Sequence, residues 1–268
     1  VAFYTTAVLA PGDAGNYDIY LRDRVALTTE LISLPPPVGT LDTNSYNPTI
    51  SADGRFVAFK SSSIWLRDRS AGVTERISVS TTGGAPNGVC DYPAISPDGR
   101  FVSFMSYASN LVPGDVADVF YDIFLRDRNG AGSTVKISLD AGGGPANSSS
   151  TKSSVCSGFV PGRFLGFAST AALVTGDTNG IEDAFVRNLD VGTTTLVSVN
   201  NAGVQGDGVS NTPSVSVDGR FVAFQSSATN LVTGDTNLVT DVFVRDRLLG
   251  MTERVSIATD GSQGDAAS

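Results

Sequence analysis

One twelve-residue segment recurs along this chain and limits what it can fold into. It reads Pro48-Thr-Ile-Ser-Ala-Asp-Gly-Arg-Phe-Val-Ala-Phe59 and returns as Pro93-Ala-Ile-Ser-Pro-Asp-Gly-Arg-Phe-Val-Ser-Phe104 and Pro213-Ser-Val-Ser-Val-Asp-Gly-Arg-Phe-Val-Ala-Phe224. A worn copy spans Val160 to Phe167, and the opening Val1-Ala2-Phe3 matches the tail of the same segment. A second motif follows each time: Asp18-Ile-Tyr-Leu-Arg22, Ile64-Trp-Leu-Arg67, Asp122-Ile-Phe-Leu-Arg126, Asp183-Ala-Phe-Val-Arg187 and Asp241-Val-Phe-Val-Arg245. A third centres on a serine between aliphatic residues, at Ser33, Ser78, Ser138, Ser198 and Ser256. A fixed period of this kind is the signature of a solenoid or propeller, because one repeat cannot bury its own apolar face.

Each motif is a short run of Val, Ile, Phe and Thr bounded by Gly, Asp, Pro or Asn, which is how strands read. Asp53-Gly54, Asp98-Gly99 and Asp218-Gly219 each lie between two apolar runs, where glycine supplies the positive φ of a tight hairpin. The unit is therefore strand A, an Asp-Gly turn, strand B, a long loop, strand C, a turn and strand D. Apolar residues on both faces of these strands ask for cover on both sides, as stacked blades provide. The spacing predicts an all-β propeller of five blades, each of four antiparallel strands, in a single domain over 1–268. Blade boundaries fall at about 1–47, 48–92, 93–150, 151–212 and 213–268. The first blade begins at strand B and so lacks its inner strand A. A longer, six-bladed parent is the alternative.

The Asp-Gly-Arg-Phe-Val-Ala-Phe segment and the strand that follows it resemble the TolB-like, WD-repeat-like propellers of bacteria, over nearly the whole chain. The resemblance implies the fold. For function it implies a range, since such propellers serve as protein-docking platforms, sugar-binding modules and accessory domains of hydrolases.

Composition narrows that range. The formal charge of −9 argues against nucleic acid, whose phosphates call for a basic surface. Apolar runs are far shorter than the ~20 residues of a membrane-spanning helix. The absence of histidine removes the usual general base, the usual zinc ligand and any Ser-His-Asp triad. The expected role is a secreted, extracellular or periplasmic binding or scaffold module, monomeric or part of a larger chain. Its partner is a protein or polysaccharide on the face carrying the B–C loops and D–A connections. A glycoside hydrolase or lyase, or a single-site lectin, is the alternative.

Four B–C loops are acidic: Asp13, Asn16 and Asp18; Asp115, Asp118 and Asp122; Asp177, Asn179 and Asp183; and Asp235, Asn237 and Asp241. Closely spaced carboxylates and amides suit calcium, which takes six to eight oxygens. Turn capping by the same side chains is the alternative. Asp91, Tyr92 and Tyr46, just ahead of strand A, are the ligand candidates and the place an enzyme would put its site. Cys90 and Cys156 are an even pair that either bridges, as in exported proteins, or stays as two buried thiols. The recurrent strand-B and strand-C arginines are expected to pair between blades with aspartates such as Asp23, Asp68, Asp127 and Asp246. The serine of strand D is read as a packing residue, and Trp65 as core.

Overall fold

The computed structural model describes residues 1–13, 15–36, 40–116, 119–130, 132–155, 164–264 and 266–267, and among them there is no helix. The strands form five antiparallel sheets. The first is three-stranded, β1 (Ala2–Thr5), β2 (Asp18–Arg22) and β3 (Thr29–Leu31). The second runs β4 (Tyr46–Ile50), β5 (Phe56–Lys60), β6 (Ile64–Asp68), β7 (Val73–Arg76), and the third β8 (Cys90–Ile95), β9 (Phe101–Ser106), β10 (Asp122–Asp127), β11 (Ser133–Lys136). The fourth is β12 (Ser150–Val155), β13 (Phe164–Ser169), β14 (Asp183–Asn188), β15 (Thr193–Leu196). The fifth is β16 (Ser210–Val215), β17 (Phe221–Ser226), β18 (Asp241–Asp246), β19 (Met251–Arg254). These are the five blades of a β-propeller, with the first lacking its inner strand. The loop joining β5 to β6 is short, only Ser61–Ser63.

Contacts divide the described chain into two compact units, 1–119 with 124–136, and 120–123 with 137–268. Within the first, Ile19, Leu21 and Ile32 pack against Val57, Phe59 and Trp65. Ala58, Ile64 and Leu66 meet Val102, Phe104 and Phe124. Within the second, Ala184, Val186 and Val197 meet Val222, Phe224 and Phe243. The strand-B and strand-C aromatics stack across each sheet, Phe104 on Phe124 at 5.9 Å, Phe167 on Phe185 at 5.8 Å and Phe224 on Phe243 at 5.9 Å. Burying each such ring contributes about 1.5–3 kcal/mol.

The Asp-Gly hairpins are built alike. Ser51 donates to Asp53 at 2.6 Å, Asp53 accepts from the Arg55 amide, and Gly54, at φ +72°, donates to the Ser51 carbonyl. Ser96–Phe101 and Ser216–Phe221 repeat this bond for bond.

The arginines correct one expectation. Strand-B Arg55, Arg100 and Arg220 form two-pronged pairs with Asp68, Asp127 and Asp246, but inside the same blade, each with an N–O contact of 2.7 Å. The antiparallel register puts Phe56 opposite Asp68, so the preceding arginine reaches its own sheet's aspartate first. These hydrogen bonds hold the Asp68 and Asp246 carboxyls down to about 2. Links between blades come instead from the last arginine of two Arg-Asp-Arg runs: Arg69 to Glu30 and Arg128 to Glu75. Arg128 also lies 4.3 Å over the Phe56 ring.

Candidate ligand-binding site

Strand A is kinked at the same point in four blades. The register slips between Tyr46 and Thr49, Asp91 and Ala94, Thr151 and Ser154, and Asn211 and Ser214. At each slip one non-glycine residue is left-handed: Asn47 at φ +50°, Tyr92 at +47°, Lys152 at +45° and Thr212 at +48°. A bulge of this kind re-aims side chains, and a left-handed residue with a Cβ costs of order 1–2 kcal/mol. The three ligand candidates stand at two of these bulges.

The structure joins them through Lys60. Its ammonium is 5.8 Å from the Tyr46 ring centroid and 3.4 Å from an Asp91 carboxylate oxygen. The other Asp91 oxygen accepts from Asn47 at 2.9 Å and from the Tyr92 amide at 2.8 Å. Tyr46 belongs to a cluster the sequence did not single out. Its ring is 5.3 Å from Tyr17 and 5.6 Å from Tyr4, and Tyr4 is 6.0 Å from Tyr17. Tyr4 and Tyr17 are 46% and 40% exposed and Tyr46 is half-buried, so the cluster of three touching rings is open to solvent on its Tyr4 and Tyr17 side. Tyr17 is held by backbone: its amide donates to Asn44 Oδ1 at 3.1 Å and its carbonyl accepts from the Ser45 amide at 2.6 Å. Beside the rings is a cleft of about 480 Å³ lined by Leu41, Asp42, Thr43, Asn44, Tyr46 and Lys60. All of these lie in the first unit.

A larger cleft of about 770 Å³, in the second unit, runs along Asn200–Ala202, Thr229–Gly234 and Thr252–Arg254. It has no aromatic wall. Its amides are already engaged, with Asn201 accepting from the Thr252 amide at 2.6 Å and Asn200 donating to the Asn230 carbonyl.

The acidic loops are spoken for by the protein itself. The aspartate at the root of strand C accepts from the strand-D serine in four blades: Ser33 to Asp18 at 2.5 Å, Ser138 to Asp122 at 2.6 Å, Ser198 to Asp183 at 2.6 Å and Ser256 to Asp241 at 2.5 Å. The same hydroxyls accept the amides of Ile19, Ile123, Ala184 and Val242. The recurrent serine is thus a hydrogen-bonding clasp rather than packing alone. The Gly-Asp aspartate earlier in the same loop finds a different donor each time. Tyr20 donates to Asp13, Lys136 pairs with Asp115 at 3.0 Å, and Arg254 pairs with Asp235 at 3.0 Å and Asp241 at 3.4 Å. In the fourth blade, as in the first, no cation stands in that place among the described residues. One Gln205 amide nitrogen bridges Asp177 and Asp183, at 2.8 Å from each. Burial pushes both carboxyls above the usual range. Asp235 is also pushed up, burial outweighing Arg254.

Asn179 donates to the Gly206 carbonyl and accepts from the Ile181 amide, while Asn237 donates to Asp241 and to the Gly264 carbonyl. The Asn16 side chain makes no hydrogen bond among the described residues, and Asp118 lies outside them. Among the described residues, no group of three or more acidic or sulfur side chains could hold a metal. Cys90 is buried at the start of β8, its sulfur 3.3 Å from Ser106 Oγ, and burial pushes its thiol up. Cys156 lies outside the described residues, as does most of the worn repeat copy before Phe164. Trp65 is fully buried, as expected. No helix among the described residues is long and apolar enough to cross a membrane.

No family model matches the sequence, and no curated protein does. Solved structures do. TolB from Acinetobacter baumannii is 18% identical with a TM-score of 0.52, covering 97% of this chain and 54% of its own. A TolB from Agrobacterium tumefaciens, described as putative, is 15% identical with a TM-score of 0.50, covering 90% of this chain and 70% of its own. An oligogalacturonate lyase in complex with manganese is 10% identical with a TM-score of 0.58, covering 90% and 59%. The chain spans about half the length of the Acinetobacter protein. Five blades built on one repeated polar frame, together with these likenesses, show that the chain has the TolB-like β-propeller fold.

Proposed function

We propose that this protein is a secreted or periplasmic binding module that holds a carbohydrate at the Tyr4–Tyr17–Tyr46 cluster. The observation that carries this reading is the mutual contact of three tyrosine rings, two exposed and one half-buried, beside a polar cleft. Tyrosine faces stack on the apolar faces of sugar rings, and a few convergent polar groups then fix orientation. Lys60 and Asn44 are those groups. The ammonium, at the edge of the cleft, favours a sugar that carries a carboxylate.

A catalytic reading at Asp91 and Tyr92 has less support. Both Asp91 oxygens are engaged by Asn47, Lys60 and the Tyr92 amide, so the carboxylate braces the strand-A bulge. General acid–base chemistry needs a partner group within reach of a substrate proton. For calcium the loop of Asp177 and Asp183 has the strongest support, since there two buried carboxylates share one neutral amide and no cation. There calcium should raise the melting temperature of the native protein and leave Asp177→Asn unmoved. An unchanged melting curve retires it.

Titration calorimetry with acidic and neutral oligosaccharides tests the main proposal. Tyr46→Ala should weaken binding by at least about tenfold, and Lys60→Gln should weaken acidic sugars only. Turnover into reducing ends or unsaturated products, abolished by Asp91→Asn or Tyr92→Phe, would show an enzyme instead.

A further inference from the structure

A threonine of strand D laces each of three blades to the one before it. Thr74 donates to the Leu34 carbonyl at 3.0 Å, Thr194 to Leu139 at 3.2 Å and Thr252 to Val199 at 2.6 Å. The third blade breaks the pattern. Its Thr134 accepts from Arg126 at 3.2 Å and makes no bond to the second blade among the described residues. Where the lace is missing a cleft of about 370 Å³ opens, lined by Ser80 and Thr81 from the second blade and by Leu111, Pro113, Arg126 and Ser133 from the third. All of these belong to the first unit.

The cleft between the fourth and fifth blades is the same groove finished differently, since Asn200, Asn201 and Thr252 align with Ser80, Thr81 and Thr134. There the strand-C arginine is spent. Arg245 donates to the Asn200 carbonyl at 3.1 Å and to Thr252 at 3.0 Å, and Asn201 accepts the Thr252 amide at 2.6 Å. Arg187 likewise bonds one threonine, but the Thr194 lace closes its groove. Arg126 lines its cleft, and Thr134 is its hydrogen-bond partner among the described residues, so Nε and Nη2 are unspent. Gly132 makes room for the guanidinium, since a Cβ there would come within 2.4 Å of Nη2. Glu75 and Asp127, whose charges reach Arg126, are paired with Arg128 and Arg100. Burial pushes the Arg126 pKa down, as for a cation short of compensation.

We propose that this cleft binds a small organic acid, with the carboxylate on the Nε and Nη2 nitrogens of Arg126. The molecule already uses that mode: Arg55, Arg100 and Arg220 each hold an aspartate with these same two nitrogens. A planar fork of two N–H groups matches the two oxygens of a carboxylate. Thr81 and Ser133, both exposed, add hydroxyls, and Leu111 and Pro113 give the body of the acid an apolar wall. One guanidinium in a chain of formal charge −9 suits a monoanion and opposes the entry of polyanions. Neither Tyr46 nor Lys60 lines this cleft, so it and the tyrosine site can fail separately.

Magnetic resonance of isotope-labelled protein reads the site directly. The probes are benzoate, an aromatic acid, and galacturonate, a sugar acid, each titrated against chloride at constant ionic strength. A saturable shift of the Arg126 Nε–H and of the Gly83 and Gly132 amides is expected with at least one of them, and which one tells the body the wall prefers. Arg126→Gln should weaken the response by about tenfold or more. Thr81→Asn installs the residue of the fifth blade, where the fold carries it, and should weaken the response as much by closing the cleft. Tyr46→Ala and Lys60→Gln should leave it intact. No saturable shift at these three groups with either acid, or an unchanged response in Thr81→Asn, would overturn the inference. An equal response to inorganic sulfate would overturn the choice of a carboxylate.

Discussion

At the scale of single residues, the glycine of the Asp-Gly turn does two separable jobs. Gly54, Gly99 and Gly219 all sit at φ +72°, so any side chain there is strained. Their surroundings differ. A Cβ on Gly219 would come within 2.1 Å of the Phe164 ring and one on Gly99 within 2.2 Å of Phe56, whereas Gly54 has nothing nearer than 3.9 Å. Gly54→Ala should therefore cost only the conformational strain, about 1 kcal/mol. Gly219→Ala should cost that and a further 1–3 kcal/mol or so for displacing a packed ring. Chemical denaturation of the two variants checks this, and equal losses would mean that Phe164 moves aside freely. The turn itself was legible from Asp-Gly between apolar runs. The clash was not, because Phe164 and Gly219 are distant in sequence.

At the scale of the element, the instructive unit is the B–C loop with the end of strand D. Read along the sequence, its regular aspartates and asparagines match the chemistry of a calcium loop. In three dimensions Ser33, Ser138, Ser198 and Ser256 reach across from strand D to clasp the root aspartate, a pairing that no local spacing announces. The fourth blade lacks a cation beside its loop carboxylates, with Leu196 where the fifth has Arg254. Both Asp177 and Asp183 hold their protons more tightly folded than unfolded, because burial disfavours the charged form. Their ionisation thus opposes folding above the folded-state pKa values. The opposition fades as pH falls through those values toward the ordinary carboxylate range. Asp177→Asn should raise the melting temperature by a few degrees at pH 7, about 1 kcal/mol in a chain of this size, and by much less near pH 4. Arg254→Leu should act in the opposite sense and cost a few kcal/mol, since it strips the cation from Asp235 and Asp241. Thermal melts of both variants at the two pH values decide the matter.

At the scale of the whole molecule, what repeats is structure and what departs from the repeat is where function is to be sought. The hairpin, the Arg–Asp pairs and the Ser–Asp clasps recur from blade to blade, and for that reason the architecture could be read from the sequence. The tyrosine cluster could not. Tyr4, Tyr17 and Tyr46 come from β1, the loop before β2, and β4, and they do not recur, so only folding brings them together. Tyr46, Asp91 and Tyr92 were found from their place ahead of strand A, but the lysine that joins Tyr46 to Asp91 was missed, since Lys60 reads as the end of an ordinary strand. The central claim, that this site takes a sugar, is tested most directly by a crystal structure of the protein grown with the tightest-binding oligosaccharide of the calorimetric panel. The account predicts a pyranose ring stacked on Tyr46 with Lys60 and Asn44 within hydrogen-bond reach. Sugar density in the cleft of Asn200, Asn230 and Arg254, with the tyrosines bare, would contradict it.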